Sequence, residues 1–133
     1  TTYEQDAEFA EVARDNMDVA GVADTVDVRT GDITDEINDL TAGEAFDLLT
    51  LDTEDAPDVV ADAADLLAPG GFLAVYSPFV ENARAAAEAA REAGLSGVET
   101  VETIQREMTF DDRGTRPSTA GVGHTGYLTF ARR

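Results

Sequence analysis

Apolar and polar positions alternate along this chain in two rhythms. "EQDAEFAEVARDNMDVAG" places Phe9, Val12, Ala13 and Met17 at i, i+3, i+4 and i+8, which is one face of a helix, and Gly21 supplies a stop. The "TTY" before it reads as the end of a strand. "TVDVRT" alternates residue by residue, as a half-buried strand does, and runs into Gly31 and Asp32. "DEINDL" fits one or two helical turns, and "FDLLTLD" reads as a buried strand that ends on acids. Pro57 suits the first turn of a helix over "PDVVADAADLL", with Val59, Val60, Ala63 and Leu67 on one face. "APGG" predicts a turn. "FLAVYSP" is a nearly continuous apolar run, the kind buried on both faces of a sheet. The clearest helix is "VENARAAAEAAREAG", Ala-rich, with Arg84 and Glu88 one turn apart and Gly94 at its end.

After that helix the rhythm changes. "GVETVETIQREMTF" alternates over a long stretch. "DDRGTRPSTAGVG" has the composition of a loop, and "HTGYLTFARR" alternates again. Two strands joined without a helix should pair antiparallel. The sum is β-α-β-α-β-α-β-α-β-β. It predicts an α/β fold with a mostly parallel sheet, helices on both faces and an antiparallel C-terminal pair. The 133 residues suit one domain with a modest core, and no repeat or linker interrupts them.

Composition narrows the class. Hydrophobic residues make up 43%, too many for a disordered chain. No apolar run approaches the ~20 residues of a membrane helix. The start carries no signal-peptide pattern, so a cytoplasmic protein is expected. It also lacks an initiator Met, which suggests that the chain begins inside a longer protein. With no Cys and one His, only carboxylates remain as metal ligands, and no metal is expected.

Net charge is −19, and all nine basic residues are Arg. This acidic, Lys-free, Ala- and Val-rich composition resembles that of salt-in halophiles, which suggests an archaeal source. In molar salt the Debye length falls to ~3 Å, so self-repulsion is screened. The charge is uneven. From Arg106 to Arg133, five Arg face three acids. That end alone would not repel an anionic partner.

In an open α/β sheet, ligands bind beyond the carboxyl ends of the strands. Here those ends carry Glu4, Asp32, Asp52, and Tyr76 with Ser77. A carboxylate offers two acceptors to the hydroxyls of a ribose, and an acid on a later strand can accept from an adenine amino group. Turns favour Asp in any case, so one acid would mean little. Three at successive strand ends point to a nucleoside site.

"LLAPGGFLAVYSP", the "GD" after "VDVRT" and the C-terminal pair resemble, in order, motifs of class I methyltransferases. "RPSTAGVGHTGYLTFARR" is more specific. With "YEQDAEFAEVARDN", "GDI", "LD" and "ETIQREM", it resembles the tRNA (adenine-N1)-methyltransferase family that acts at position 58 and, in some archaea, also 57. The resemblance spans essentially all 133 residues. It implies a Rossmann-like sheet and S-adenosylmethionine as cofactor, with tRNA as substrate and a homo-oligomer, typically a tetramer. By resemblance, Asp52 holds the target adenine at N6 and lies against the cofactor, and Tyr76 lies near the base. Glu4 takes the cofactor ribose and Asp32 its adenine. Arg113 and Arg116, in the least acidic segment, are expected to hold tRNA phosphates.

Two departures stand out. "LDTEDAPDVV" lacks the Pro-Trp-type segment of the family, and no E-x-G-x-G loop occurs anywhere. The chain starts where the family's second strand starts. Residues 1–133 are therefore expected to be the C-terminal part of a methyltransferase catalytic domain without its central first strand. The sheet must then close up or be completed by another chain.

Rival readings are a class I methyltransferase acting on a protein or small molecule, and a non-catalytic methyltransferase-like subunit. The "RP…GHTGYL" ending argues against isoaspartyl methyltransferases. The presence of Glu4, Asp32 and Asp52 argues against a subunit that has lost catalysis. His124, between glycines at 123 and 126, reads mainly as part of a turn entering the last strand and secondarily as a substrate contact.

Overall fold

The structure, a computed structural model, describes all residues except 41–44 and 122. The side chains of Asn38, Asp39 and His124 also lie outside the described part. The chain divides into two compact units, Thr1–Glu44 and Ala45–Arg133.

The first unit pairs β1 (Thr2–Glu4) with β2 (Val28–Thr30) in parallel, Glu4 opposite Thr30. Helix α1 (Ala7–Ala20) begins where the Asp6 carboxylate accepts from the Glu8 and Phe9 amides, and ends at Gly21 in the left-handed conformation. The expected apolar face is not the buried one. Phe9 and Val12 are exposed, and Ala10 is fully buried instead. The reason is local. Arg14, one turn after Ala10, reaches β2, donating to the Val28 carbonyl at 3.2 Å and the Thr30 hydroxyl at 2.7 Å. The face presented to the strands is thus the one bearing Ala10 and Arg14. Helix α2 (Ile33–Leu40) follows β2.

The second unit is a four-stranded sheet in the order β3-β4-β8-β5. β3 (Phe46–Leu51) and β4 (Leu67–Ser77) are parallel. β8 (Gly123–Arg132) lies antiparallel between β4 and β5 (Ser96–Gln105). Helices α3 (Ala56–Leu66) and α4 (Val80–Glu92) pack on each other and on one face of this sheet. Val59, Val60 and Ala63 are buried, as their helical spacing predicts; Leu67, expected on the same helical face, is buried as the first residue of β4. Ala83, Ala86 and Ala90 of α4 are buried as well. Arg84 and Glu88 form the expected ion pair at 2.8 Å. The sheet positions Leu73, Val75, Thr129 and Ala131 are buried, whereas Leu48, Phe72 and Phe130 are exposed. Within this unit the helices therefore cover one face, not both.

Two further expectations change. "APGG" is not a turn between helix and strand but lies inside β4, which starts at Leu67 directly after α3. The ladder with β3 shifts register between Phe46 and Leu48, and Gly70 has φ +83°. A Cβ on Gly71 would sit 2.9 Å from the Ala68 and Phe46 carbonyl oxygens. The glycines thus permit a bulge where a turn was expected. The predicted loop "DDRGTRPSTAGVG" also contains structure. β6 (Met108–Asp111) and β7 (Gly114–Pro117) form a separate hairpin, and β5 stops at Gln105.

Among the described residues, β1 pairs only with β2, and β3 only with β4.

Candidate active site

Leu51 of β3 stands opposite Val75 of β4 in a parallel ladder. The next residues along the two segments, Asp52 and Tyr76, are therefore neighbours at the carboxyl end of this sheet. Asp52 is exposed, and its carboxylate takes no hydrogen bond or ion pair from a described residue. Nor does it cap α3. Thr53 organises that start, its carbonyl accepting from the Ala56 amide at 3.2 Å and its hydroxyl from the Asp55 amide at 3.3 Å. A second tether holds the same loop, because the Asn82 amide group on α4 donates to the Glu54 carbonyl at 2.9 Å. Among the described residues, Thr53 and Asn82 thus fix the loop beside Asp52 without its side chain.

Tyr76 is the opposite case. It is half-buried, and its hydroxyl donates to the Thr125 carbonyl at 2.7 Å. Ser77, buried beside it, exchanges hydrogen bonds with the Phe79 backbone and shapes the turn into α4.

Glu4 and Asp32 lie in the first unit, at the carboxyl ends of neighbouring parallel strands. The Gly31 amide donates to the Glu4 carbonyl at 3.0 Å, which draws the two ends together. Glu4 Oε1 accepts from the Asp6 amide at 2.9 Å. Asp32 Oδ1 accepts from the Thr34 hydroxyl at 2.7 Å and from its amide at 2.9 Å. These bonds, the hydroxyl's first, hold the Asp32 carboxyl below the usual carboxylate range. In both acids the second oxygen takes no hydrogen bond from a described residue. Each acid, at the end of one of two paired strands, thus keeps one carboxylate oxygen that no described residue uses.

Residues 1–115 match the family described as the tRNA methyltransferase complex GCD14 subunit. The chain belongs to this family. It is 30% identical to a tRNA (adenine(57)-N(1)/adenine(58)-N(1))-methyltransferase from Methanocaldococcus jannaschii, an alignment covering 98% of this chain and 54% of that protein. Among solved structures it resembles an S-adenosylmethionine-dependent O-methyltransferase from Thermotoga maritima, with TM-score 0.87 and 25% identity over 99% of this chain and 48% of the other. It also resembles the tRNA (m1A58) methyltransferase from Aquifex aeolicus, with TM-score 0.80 and 21% identity over 98% and 51%. These likenesses establish the Rossmann-like class I methyltransferase fold. The chain spans about half the length of the relatives it matches.

In this member of the family, Arg113 and Arg116 lie on the exposed β6–β7 hairpin. Arg116 pairs with Asp111 at 2.8 Å, and the Arg113 amide donates to the same carboxylate at 2.9 Å. Of the two guanidinium groups on the hairpin, that of Arg116 is thus paired within it. His124 stands opposite Ile104 in the β5–β8 ladder, inside β8 and not in a turn before it, and its side chain lies outside the described residues. No group of three His, Cys, Asp or Glu among the described residues is placed to hold a metal. No described helix is long and apolar enough to cross a membrane.

Sequence reasoning misses Asn82 and Thr125, and reads Gly126 only as a flexible neighbour of His124. In "HTG" it reads the histidine and the glycine as parts of a turn and passes over the threonine. The roles of Thr125 and Gly126 depend on β8 lying beside β4, a pairing far apart in sequence.

Proposed function

We propose that this chain forms part of the catalytic domain of an S-adenosylmethionine-dependent methyltransferase. It acts on N1 of adenine in the tRNA T-loop, at position 58 or at both 57 and 58. Its partners are tRNA and further copies of itself, and it works in the cytoplasm, in molar salt. The observation that carries this reading is the Asp52 carboxylate, exposed beside Tyr76 and bonded by none of the described residues. Family membership and the activity named for the Methanocaldococcus relative support the choice of substrate.

Glu4 and Asp32 suit the adenosine half of the cofactor, Glu4 for the ribose hydroxyls and Asp32 for the adenine. When bound, S-adenosylmethionine supplies an electrophilic methyl group. Adenine N1 carries a free lone pair, so no residue has to remove a proton before attack. The work left to the protein is extrusion, alignment and charge stabilisation. Asp52 accepts from the N6 amino group and opposes the positive charge that develops on the ring. Tyr76 offers its ring to the base. Arg113 and Arg116 steer phosphates, and His124 serves as a further contact to tRNA.

The test is methyl transfer by the full-length protein in molar KCl to an unmodified tRNA transcript, with the site read by mass spectrometry. Asp52→Ala is expected to lower kcat by about 10²–10³-fold. Full activity in that variant, or methyl transfer to small-molecule hydroxyls but not tRNA, overturns the reading. Transcripts with guanine at 57 or 58 separate the two positions.

A further inference from the structure

We propose that Thr125 and Gly126 are positioning residues that set the angle of the Tyr76 ring. The inference rests on the tRNA methyltransferase reading for what the ring does, but not for how it is held.

Three observations converge on this corner of the sheet. First, β8 carries a bulge. Thr103 pairs with Gly126 and Ile104 with His124, so Thr125 is the extra residue, left out of the ladder with β5. The ladder with β4 does not use it either, since its last pair is Ser77 with Tyr127. A bulge frees a carbonyl and re-aims the chain next to a site. Second, the freed Thr125 carbonyl accepts the Tyr76 hydroxyl at 2.7 Å. The bulge is itself anchored, because the Thr125 hydroxyl donates to the Thr103 carbonyl at 2.6 Å. Third, the ring lies over Gly126. A Cβ there would meet Tyr76 Cε2 at 2.2 Å, with Cζ and the hydroxyl oxygen at 2.8 Å. Carbon atoms cannot approach so closely, so any larger residue must displace the ring.

The geometry gives the arrangement a direction. Tyr76 pairs with Leu128, yet its ring reaches Gly126 and Thr125. Because β8 runs antiparallel, those residues lie toward the carboxyl end of β4, where Asp52 also emerges. The hydroxyl is engaged with backbone, so the part of Tyr76 left for a substrate is the face of the ring. A planar base stacked on that face takes its tilt from the tether at one end and the absent side chain beneath. This gives the Thr-Gly of "HTG" a physical task in the site.

The experiment compares four variants of the full-length protein, Gly126→Ala, Tyr76→Phe, Tyr76→Ala and Gly126→Ala/Tyr76→Ala, in the tRNA assay. Gly126→Ala is expected to lower kcat by about 10²-fold, as a misplacement of about 1 Å does, with KM for S-adenosylmethionine unchanged. Tyr76→Phe keeps the ring but loses one hydrogen bond, and its kcat should fall by roughly two- to tenfold. Gly126 also has φ +157°, so a Cβ there strains the backbone with or without the ring. The double variant should therefore fall below Tyr76→Ala by that strain alone, far less than the loss Gly126→Ala causes when the ring is present. Losses that multiply in the double variant, or a Gly126→Ala enzyme as active as wild type, overturn the inference. If Gly126→Ala fails to fold, recovery of the fold in the double variant supports it, and failure there too overturns it. Wild-type protein that does not methylate tRNA defeats the functional reading alone. The positioning is then read by 3-fluorotyrosine NMR, where Gly126→Ala must move the Tyr76 resonance, and an unmoved resonance overturns the inference.

Discussion

The two units differ in how much of their structure they hold by themselves. Ala45–Arg133 has a four-stranded sheet, two helices lined with Ala and Val, and buried Leu66, Leu67, Leu73 and Val75. Thr1–Glu44 has two strands of three residues, and its buried apolar side chains among the described residues are Ala10, Val28 and Ile37. Much of its order comes from polar contacts: the Asp6 cap, the reach of Arg14, and Arg29 bonded to Tyr3 and Asp27. The acids proposed for the cofactor are thus on the thinly packed unit, and the residues proposed for the target base are on the well-packed one. A base must be aligned closely for transfer, and a rigid frame serves that need.

The sharpest way to break this contrast is to remove core volume from each unit. Leu73→Ala should cost about 2–5 kcal/mol. Val28→Ala, which loses two methyl groups, should cost no more than about 2 kcal/mol. Denaturant unfolding with hydrogen exchange reads both. Equal costs would show that the first unit is as tightly built as the second. Next comes the pair of acids. Asp52→Ala should leave stability within about 0.5 kcal/mol of wild type while abolishing most activity, since no described residue bonds to its carboxylate. Glu4→Gln should instead weaken S-adenosylmethionine binding, measured by calorimetry, with less effect on kcat. Arg14→Ala should destabilise the first unit by about 1 kcal/mol, the scale of its hydrogen bonds to Val28 and Thr30. Faster exchange of β2 amides is the readout.

The smallest effect is one of pH. Thr34 holds the Asp32 carboxyl below its ordinary range in the folded state. A depressed folded value contributes stability above the unfolded value of about 3.9, and that contribution is lost as pH falls through the folded one. Thr34→Val should therefore lower the melting temperature slightly at neutral pH. The difference should vanish in strong acid, and one that grows toward acid would refute the assignment.

Much of this was legible in the sequence because it is local. The spacing of Val59, Val60 and Ala63, the Arg84–Glu88 pair and the acids at strand ends all follow from short-range periodicity. What escaped was long-range. Phe9 and Val12 have the pattern of a core face, yet Ala10 and Arg14 meet the strands. "APGG" has turn composition, yet Gly71 is needed where β4 passes close to Phe46. Tyr76 reads as a strand-end aromatic, and only its partner 49 residues away reveals how it is held.

One feature of β3 bears on how the protein behaves in the tube. Its six residues carry a single charge, Asp47, and Leu48 is 57% exposed. One side of the strand has no ladder partner among the described residues. An open apolar edge is a template for another strand, and a net charge of −19 opposes the approach of two such edges in dilute buffer. Concentrated salt removes that colloidal barrier. Light scattering by residues 1–133 should therefore rise with KCl and fall again in Leu48→Lys, whereas a salt-independent signal would mean that the edge is already covered.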